Sequence, residues 1–403
     1  MITMKERPKY IKREAYLKKI RGFYDSDLIK IITGIRRCGK SVFLDNIMEE
    51  IGERSGKIVY VNFEDRISRN GIEDSSRLIE YVMDSSAGDK CYVFLDEIQM
   101  LPSWAEAVRT LRLHNASVFI TGSNSSLLSS EFTKELSGRY VSFRIRPFVY
   151  REAAELCGLL GKGCSITDYM VWGGFPNRFS FDTTEEIAKY LEDLNETIVF
   201  KDIIGRYGIR KTDVFRRVCD YVFLSNSRIF STKSIASYIR NDKTDCSINT
   251  IRNFIEYLKS AYAIETIPEY SSSVKRDLLY YFKLYDSDLS FNSLRRADGR
   301  YDLTHNFENA VYNELLFMGY ELKVYSGAGD REIDFIASKG GKTFLVQAAY
   351  SIAESKAYER EFAPFRNMNN VFQKIIVTND DLDYTTSTVR HIRFRDFVSL
   401  EGL

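Results

Sequence analysis

The sequence predicts an α/β protein: a three-layer parallel sheet over residues 1–147, a largely helical segment over 148–270, and a second, smaller α/β unit over 271–403. Three observations carry this. Short apolar strand patterns alternate with amphipathic helical ones up to about Arg146, as in a parallel sheet covered on both faces. From Phe148 to Tyr270 helical periodicity dominates. From Thr304 to about Arg395 strands and helices alternate again.

Composition sets the outer bounds. The chain has 403 residues, 44% of them apolar and 28% charged, an ordinary globular balance in which each of two or three domains can bury a core. A net charge of +1 leaves no global attraction for polyanions, so any nucleic-acid surface has to be local. The six cysteines (Cys38, Cys91, Cys157, Cys164, Cys219, Cys246) form no C-x-x-C pair, and three histidines supply no zinc spacing. They read as reduced, packed thiols of a cytoplasmic protein. Residues 1–21 are basic without an apolar core, unlike a signal peptide. No run approaches eighteen apolar residues, so no membrane-spanning helix is expected.

In chain order, Tyr10–Phe23 reads as a basic amphipathic helix and Leu28–Ile32 as a buried strand. Gly34-Ile35-Arg36-Arg37-Cys38-Gly39-Lys40-Ser41 follows, a complete G-x-x-x-x-G-K-S phosphate loop. Val42, Phe43, Leu44, Ile47, Met48 and Ile51 then recur at helical spacing up to Gly52. Gly34 and Gly39 allow a tight turn whose amides, with the helix N-terminus, point at phosphate oxygens. Lys40 is placed to reach the β- and γ-phosphates, and the Ser41 hydroxyl to ligate Mg²⁺. Strands are expected at Lys57–Phe63 and Tyr92–Leu95. The second ends in Asp96-Glu97, a Walker B pattern in which Asp96 holds Mg²⁺ and Glu97 polarises an attacking water. Helices are expected at Arg77–Met83 and Trp104–Leu113, and further strands at Ser117–Thr121 and Val141–Arg144.

Ser123 and Asn124, after the fourth strand, read in two ways: sensors of the γ-phosphate, or caps of a helix over 125–131. Arg139 reads either as an arginine finger, acting in cis or in trans, or as an exposed arginine leading into the last strand.

Ile31–Ser41, Phe94–Gln99, Thr121–Leu128 and Leu136–Arg139 resemble the AAA-superfamily P-loop ATPases of bacteria and archaea that carry a C-terminal domain of unknown function. The resemblance continues through Trp172–Pro176, Val199–Asp202, Phe307–Asn309 and Glu332–Phe335 and so covers nearly the whole chain. It implies ATP and Mg²⁺ as ligands, held by Gly34 to Val42, Ser123 and Asp96. It gives no biological role.

In the helical segment, Ser231–Arg240 and a helix opening at Ser247 flank a polar loop. Ile251, Phe254, Ile255 and Leu258 share one face of the second helix. That is a helix-turn-helix arrangement resembling a winged helix, with Asn249, Arg252 and Asn253 on the outer face where base contacts are made. Lys201, Arg206, Arg210, Lys211, Arg216 and Arg217 outnumber the nearby acids. Double-stranded DNA and a protein partner stand as alternative targets. In the last unit, a helix glutamate (Glu308), a strand aspartate (Asp334) and a probable hairpin across Gly340-Gly341 follow the order of a restriction-endonuclease-like, PD-(D/E)XK fold. Where E-x-K should stand the chain reads Gln347-Ala348-Ala349, so a degenerate, non-cleaving domain is expected. A rescuing lysine would come from Lys339, Lys342 or Lys356.

The functional expectation is an Mg²⁺-dependent ATPase that couples ATP binding and hydrolysis to a conformational switch acting on DNA or a protein, as a monomer or an oligomer. The alternatives are a nucleotide-gated binding protein with little hydrolysis and an ATP-linked nuclease.

Overall fold

The computed structural model describes residues 10–403 except 55, 88, 124, 126–135, 137, 231, 242–245, 269, 271–281, 297–298, 328–330 and 368–370. The chain forms two compact units, one of residues 1–147 with Ser260–Tyr262, the other of 148–259 with 263–403.

In the first unit, α1 (Glu14–Ile20) leads through a short 3₁₀ turn to β1 (Ile29–Thr33), α2 (Lys40–Gly52) and β2 (Ile58–Asn62). Then come α3 (Ser75–Ser86), β3 (Cys91–Asp96), α4 (Trp104–Leu113), β4 (Ala116–Gly122) and β5 (Tyr140–Arg144). The strands lie in the order β2-β3-β4-β1-β5, every pair parallel. All five residues of β1 and all seven of β4 are buried, the polar Lys30, Thr33, Ser117 and Thr121 among them, so both faces of these strands are covered. Ile29, Ile31, Val93, Leu95, Val118 and Ile120 pack on one face with Val108 and Leu111 of α4 and Leu78 and Val82 of α3. On the alternate positions, Phe94 stacks on Phe119 with centroids 4.5 Å apart.

Lys30 shares that second face and is fully buried. Its ammonium lies 4.5 Å from the Phe119 ring centroid and donates to Ser117 Oγ (2.7 Å) and Ser26 O (3.2 Å). Burial, with no carboxylate in hydrogen-bond reach to offset it, pushes this amine down to about 7.

In the second unit, α5 (Tyr150–Leu160) and α6 (Ile166–Trp172) lead into the Trp172–Pro176 turn, and α7 (Thr184–Asn195) runs into a π-helix at Glu196–Asp202. The turn needs its glycines. Gly173 has φ +69°, and a Cβ there would sit 1.9 Å from Asp288 Oδ1, while Gly174 N donates to Asp288 Oδ2 at 2.7 Å. After α8 (Ile203–Tyr207) and α9 (Thr212–Leu224) come β6 (Ile229–Phe230), α10 (Thr232–Asn241), α11 (Ile248–Ser260), β7 (Ile264–Pro268) and β8 (Phe282–Asp286). These strands make a small antiparallel sheet ordered β6-β8-β7, the helix and strand order of a winged helix. The sheet spans the boundary expected at 270, since β8 lies beyond it. Ile251, Phe254, Ile255 and Leu258 all face the core of this module, as their spacing predicts.

A short helix, α12 (Ser290–Ser293), precedes α13 (Leu303–Phe317), β9 (Glu321–Gly327), β10 (Arg331–Lys339), β11 (Lys342–Ala349), α14 (Ser355–Phe362), β12 (Gln373–Thr378) and β13 (Val389–Arg393). The sheet runs β13-β12-β11-β10-β9, antiparallel on the β9–β11 side and parallel on the other. The hairpin falls at Gly340-Gly341 with Lys339 paired to Lys342.

Candidate nucleotide-binding site

The phosphate loop follows β1, the acid pair ends β3, and Thr121 to Ser123 end β4. All three strands run in one direction, so parallel pairing alone gathers these residues at the carboxyl edge of the sheet, where open α/β sheets bind ligands. Gly34 has φ +151°, and a Cβ there would lie 2.1 Å from Ile145 O, so the loop passes the chain leaving β5 with no room for a side chain. Gly39, at φ +95°, is the residue before α2 and turns the backbone into the helix.

Lys40 is 5% exposed, and its ammonium lies 3.2 Å from Gly34 O, 3.3 Å from Ile35 O and 3.6 Å from Glu97 Oε1. A cation set between loop carbonyls and an acid, beside the first turn of a helix, suits a polyphosphate entering the loop. Ser41 and Val42 are exposed, Val42 against its place in the apolar periodicity. Ile35 and Cys38 are buried, and Cys38 N donates to Ile35 O at 3.3 Å within the loop. Arg36 pairs with Glu64 at 2.9 Å, and Arg37 adopts φ +65°. The Cys38 thiol donates to Ile145 O at 3.4 Å, and burial raises its pKa, the opposite of a reactive cysteine.

Asp96 is 1% exposed, and Glu97 adopts a left-handed φ of +53°. Thr121 explains how that conformation holds: its hydroxyl donates to Asp96 Oδ1 and accepts from Glu97 N at 2.9 Å. Gln99 Nε2 donates to Glu97 Oε2, and Tyr60 OH to Asp96 Oδ2 at 3.4 Å. The Ser41 hydroxyl and the Asp96 carboxylate are the hard oxygen donors that Mg²⁺ prefers, and with Lys40 and Glu97 this donor set fits a magnesium nucleotide. Among the described residues no three acidic, histidine or cysteine groups form a separate metal site.

Ser123 lies at the end of β4 and is nearly buried, beside this constellation; Asn124 and the helix expected over 125–131 lie outside the described residues, Ser125 excepted. Arg139 is not brought to the site. Its carbonyl accepts from Ile29 N, so it stands at the amino edge of the sheet, about 13 Å of strand from Thr33. There Ile29, Arg109, Arg112 and Arg139 line a separate cleft of about 420 Å³.

Two contributors were missed by sequence reasoning. One is Thr121, which reads as a strand residue. The other is Arg13, 3% exposed, which donates to Cys38 O (3.2 Å) and Arg146 O (2.9 Å) and so ties the phosphate loop to the chain after β5. Only the basic character of the N-terminal helix hinted at it.

In the second unit, Asn249, Arg252 and Asn253 are exposed on α11. Tyr207 stacks on Tyr257 of that helix at 3.7 Å, and Arg206 and Arg210, near Tyr207 in the chain, are exposed. Arg216 instead pairs with Glu196 at 2.6 Å. Glu308 and Asp334 do come together, but none of the three expected lysines joins them. Lys339 donates to Met318 O, Lys342 and Lys356 are exposed, and the lysine at the acids is Lys283. Gln347 donates to Glu361 Oε2 and accepts from Asp334 N.

An AAA domain family matches residues 26–154, and two domains of unknown function match 164–296 (DUF8612) and 303–397 (DUF4143). An uncharacterized protein of Haemophilus influenzae is 30% identical over 387 residues, 93% of this chain and 95% of that protein. The uncharacterized protein MJ1544 of Methanocaldococcus jannaschii is 28% identical over 407 residues, 94% of this chain and 88% of its own length. The Walker-type ATPase PaBY2304 of Pyrococcus abyssi shares the fold, with a TM-score of 0.50 at 15% identity over 72% of this chain and 99% of that one. The chain belongs, with the Haemophilus protein, to the AAA-superfamily P-loop ATPases that carry a C-terminal domain of unknown function.

Proposed function

We propose that the protein is an Mg²⁺-dependent ATP hydrolase whose nucleotide state sets the behaviour of its C-terminal unit toward double-stranded DNA. The observation that carries the first half is the 3.6 Å approach of Lys40 to Glu97, with Thr121 locking Glu97 and Asp96 to the end of β4. Amides of Gly34 to Ser41 and the Lys40 ammonium bind the phosphates. Ser41 and Asp96 would hold Mg²⁺, which when bound neutralises charge on the phosphate oxygens. Glu97 orients and polarises the attacking water, and Ser123 reads the γ-phosphate, with Asn124 the other candidate for that role. Arg139, at the far edge of the sheet, serves a nucleotide only in a second copy of the chain.

The second half rests on the exposed polar face of α11 and on the exposed Arg206 and Arg210 near Tyr207, whose ring stacks on Tyr257 of that helix. Asn249, Arg252 and Asn253 would meet base edges, and Arg206 and Arg210 phosphates. Nuclease chemistry does not enter, since Gln347 and Ala349 replace the acid and lysine it needs. Phosphate release from Mg²⁺-ATP, measured with and without duplex DNA, tests both halves. Turnover that rises with duplex supports the reading; turnover indifferent to duplex moves the target to a protein, and tight ATP binding without turnover leaves a nucleotide-gated switch.

A further inference from the structure

Lys283 stands on β8, the middle strand of the small sheet, and is 2% exposed. Its ammonium lies 2.6 Å from Glu332 Oε1, 2.8 Å from Glu308 Oε1 and 2.9 Å from Asp334 Oδ1. Tyr285, two residues along the same strand, donates to Glu308 Oε1 at 2.7 Å. Asp334 Oδ2 accepts from Ala348 N at 2.9 Å. An ammonium has three donors, and here three carboxylates take them.

Glu308 and Asp334, this close and both buried, cannot both stay charged without a cation, and the partly exposed Glu332 adds a third carboxylate beside them. Burial and the Asp334 charge push Glu308 up to about 8, against the pull of Lys283. Burial also opposes the charge on Lys283, but Asp334, Glu308 and Glu332 together outweigh it and hold the amine protonated. In a metal-dependent site of this layout a divalent ion does that work. Here the cation comes from inside the chain, on a strand of the winged-helix module, while the acids belong to α13 and β10.

We propose that Lys283 is the built-in cation of this site: its ammonium holds the position a divalent metal would take, excludes the metal, and pins β8 to the nuclease-like core. The spacing agrees. The carboxylate oxygens stand 2.6–2.9 Å from the nitrogen, whereas Mg²⁺ requires about 2.1 Å. Spread around an amine in this way, the acids do not form a metal-spaced group among the described residues. With the amine gone, a contraction of less than an ångström would let them bind a metal ion.

The test uses the full chain with Asp96→Asn and no nucleotide, so that the acid offered to Mg²⁺ at the phosphate loop is removed. Mn²⁺ uptake is followed by the electron paramagnetic resonance of the free ion, and melting is recorded alongside. With Lys283 present, the protein takes up no Mn²⁺ and its melting temperature does not respond to it. Lys283→Ala lowers melting of the second unit by about 10 °C, gains a Mn²⁺ site, and recovers at least half the loss on binding. If Lys283→Ala does not fold, the triple variant Lys283→Met, Glu308→Gln, Asp334→Asn is expected to fold and to take up no Mn²⁺. Mn²⁺ uptake with Lys283 in place would overturn the proposal. So would a Lys283→Ala protein that melts with its parent, or is destabilised yet takes up no Mn²⁺, or a triple variant that fails to fold.

Discussion

Thr121→Val replaces one hydroxyl by a methyl of almost the same size at a fully buried position. Two partners lose their bond: the Asp96 carboxylate, which accepts from the hydroxyl, and the Glu97 amide, which donates to it at 2.9 Å. A buried group left unsatisfied costs about 1–3 kcal/mol, more for a charged one, so the pair should cost about 3 kcal/mol. For a unit of this size that is a fall of roughly 6–12 °C in the melting temperature of the N-terminal unit. The same hydroxyl fixes the left-handed Glu97, so catalysis should suffer beyond stability. Steady-state phosphate release well below the melting range should show kcat reduced at least about tenfold, with KM for ATP little changed because the phosphate loop is untouched. Unchanged melting would show that Thr121 does not carry the load assigned to it. A raised KM at constant kcat would place its role in binding rather than in orienting Glu97.

Gly34→Ala should destabilise the first unit by at least about 3 kcal/mol, since its Cβ would fall 2.1 Å from Ile145 O, whereas Gly138→Ala, at φ +71° in open space, should cost about 1 kcal/mol; chemical denaturation of the two variants checks the contrast. Lys30 has its folded pKa lowered from 10.5 to about 7, so its contribution to stability is fully present above pH 10.5 and is lost as pH falls through about 7. Relative to Lys30→Met, the wild type should therefore weaken by a few kcal/mol, at most about 5, between those limits, as read from denaturation at pH 7 and pH 10. Arg252→Ala should weaken duplex binding by about 1–3 kcal/mol in fluorescence anisotropy and alter sequence preference; equal affinity would remove α11 from the interface.

The first unit was the more legible part because its chemistry is written in contiguous residues. A phosphate loop and an acid-ended strand each name their own place, and parallel pairing then brings Lys40 to Glu97 with no further information. The contacts that complete the site join distant segments, and sequence spacing does not register them: Arg13 reaches Cys38, 25 residues away, and Thr121 reaches Glu97, 24 away. Arg139 shows the same gap in reverse. It leads into β5, and because β5 runs parallel to β1 it stands at the amino edge, at the opposite end of the strands from the phosphate loop, which the local motif around it does not register. In the second unit, helical periodicity placed the buried face of α11 correctly. Lys283 was invisible, because it lies on a strand of one module and serves acids 25 to 51 residues further on.

The most direct test of the account is Glu97→Gln, which keeps the shape of the side chain and its distance from Lys40 while removing the charge that polarises water. ATP binding, followed with a fluorescent analogue, and phosphate release with Mg²⁺ are measured on the same preparation. The account predicts binding within about threefold of wild type and turnover lowered by about 100-fold or more. Turnover that survives the substitution would contradict it, and would place the hydrolytic group elsewhere than at the end of β3.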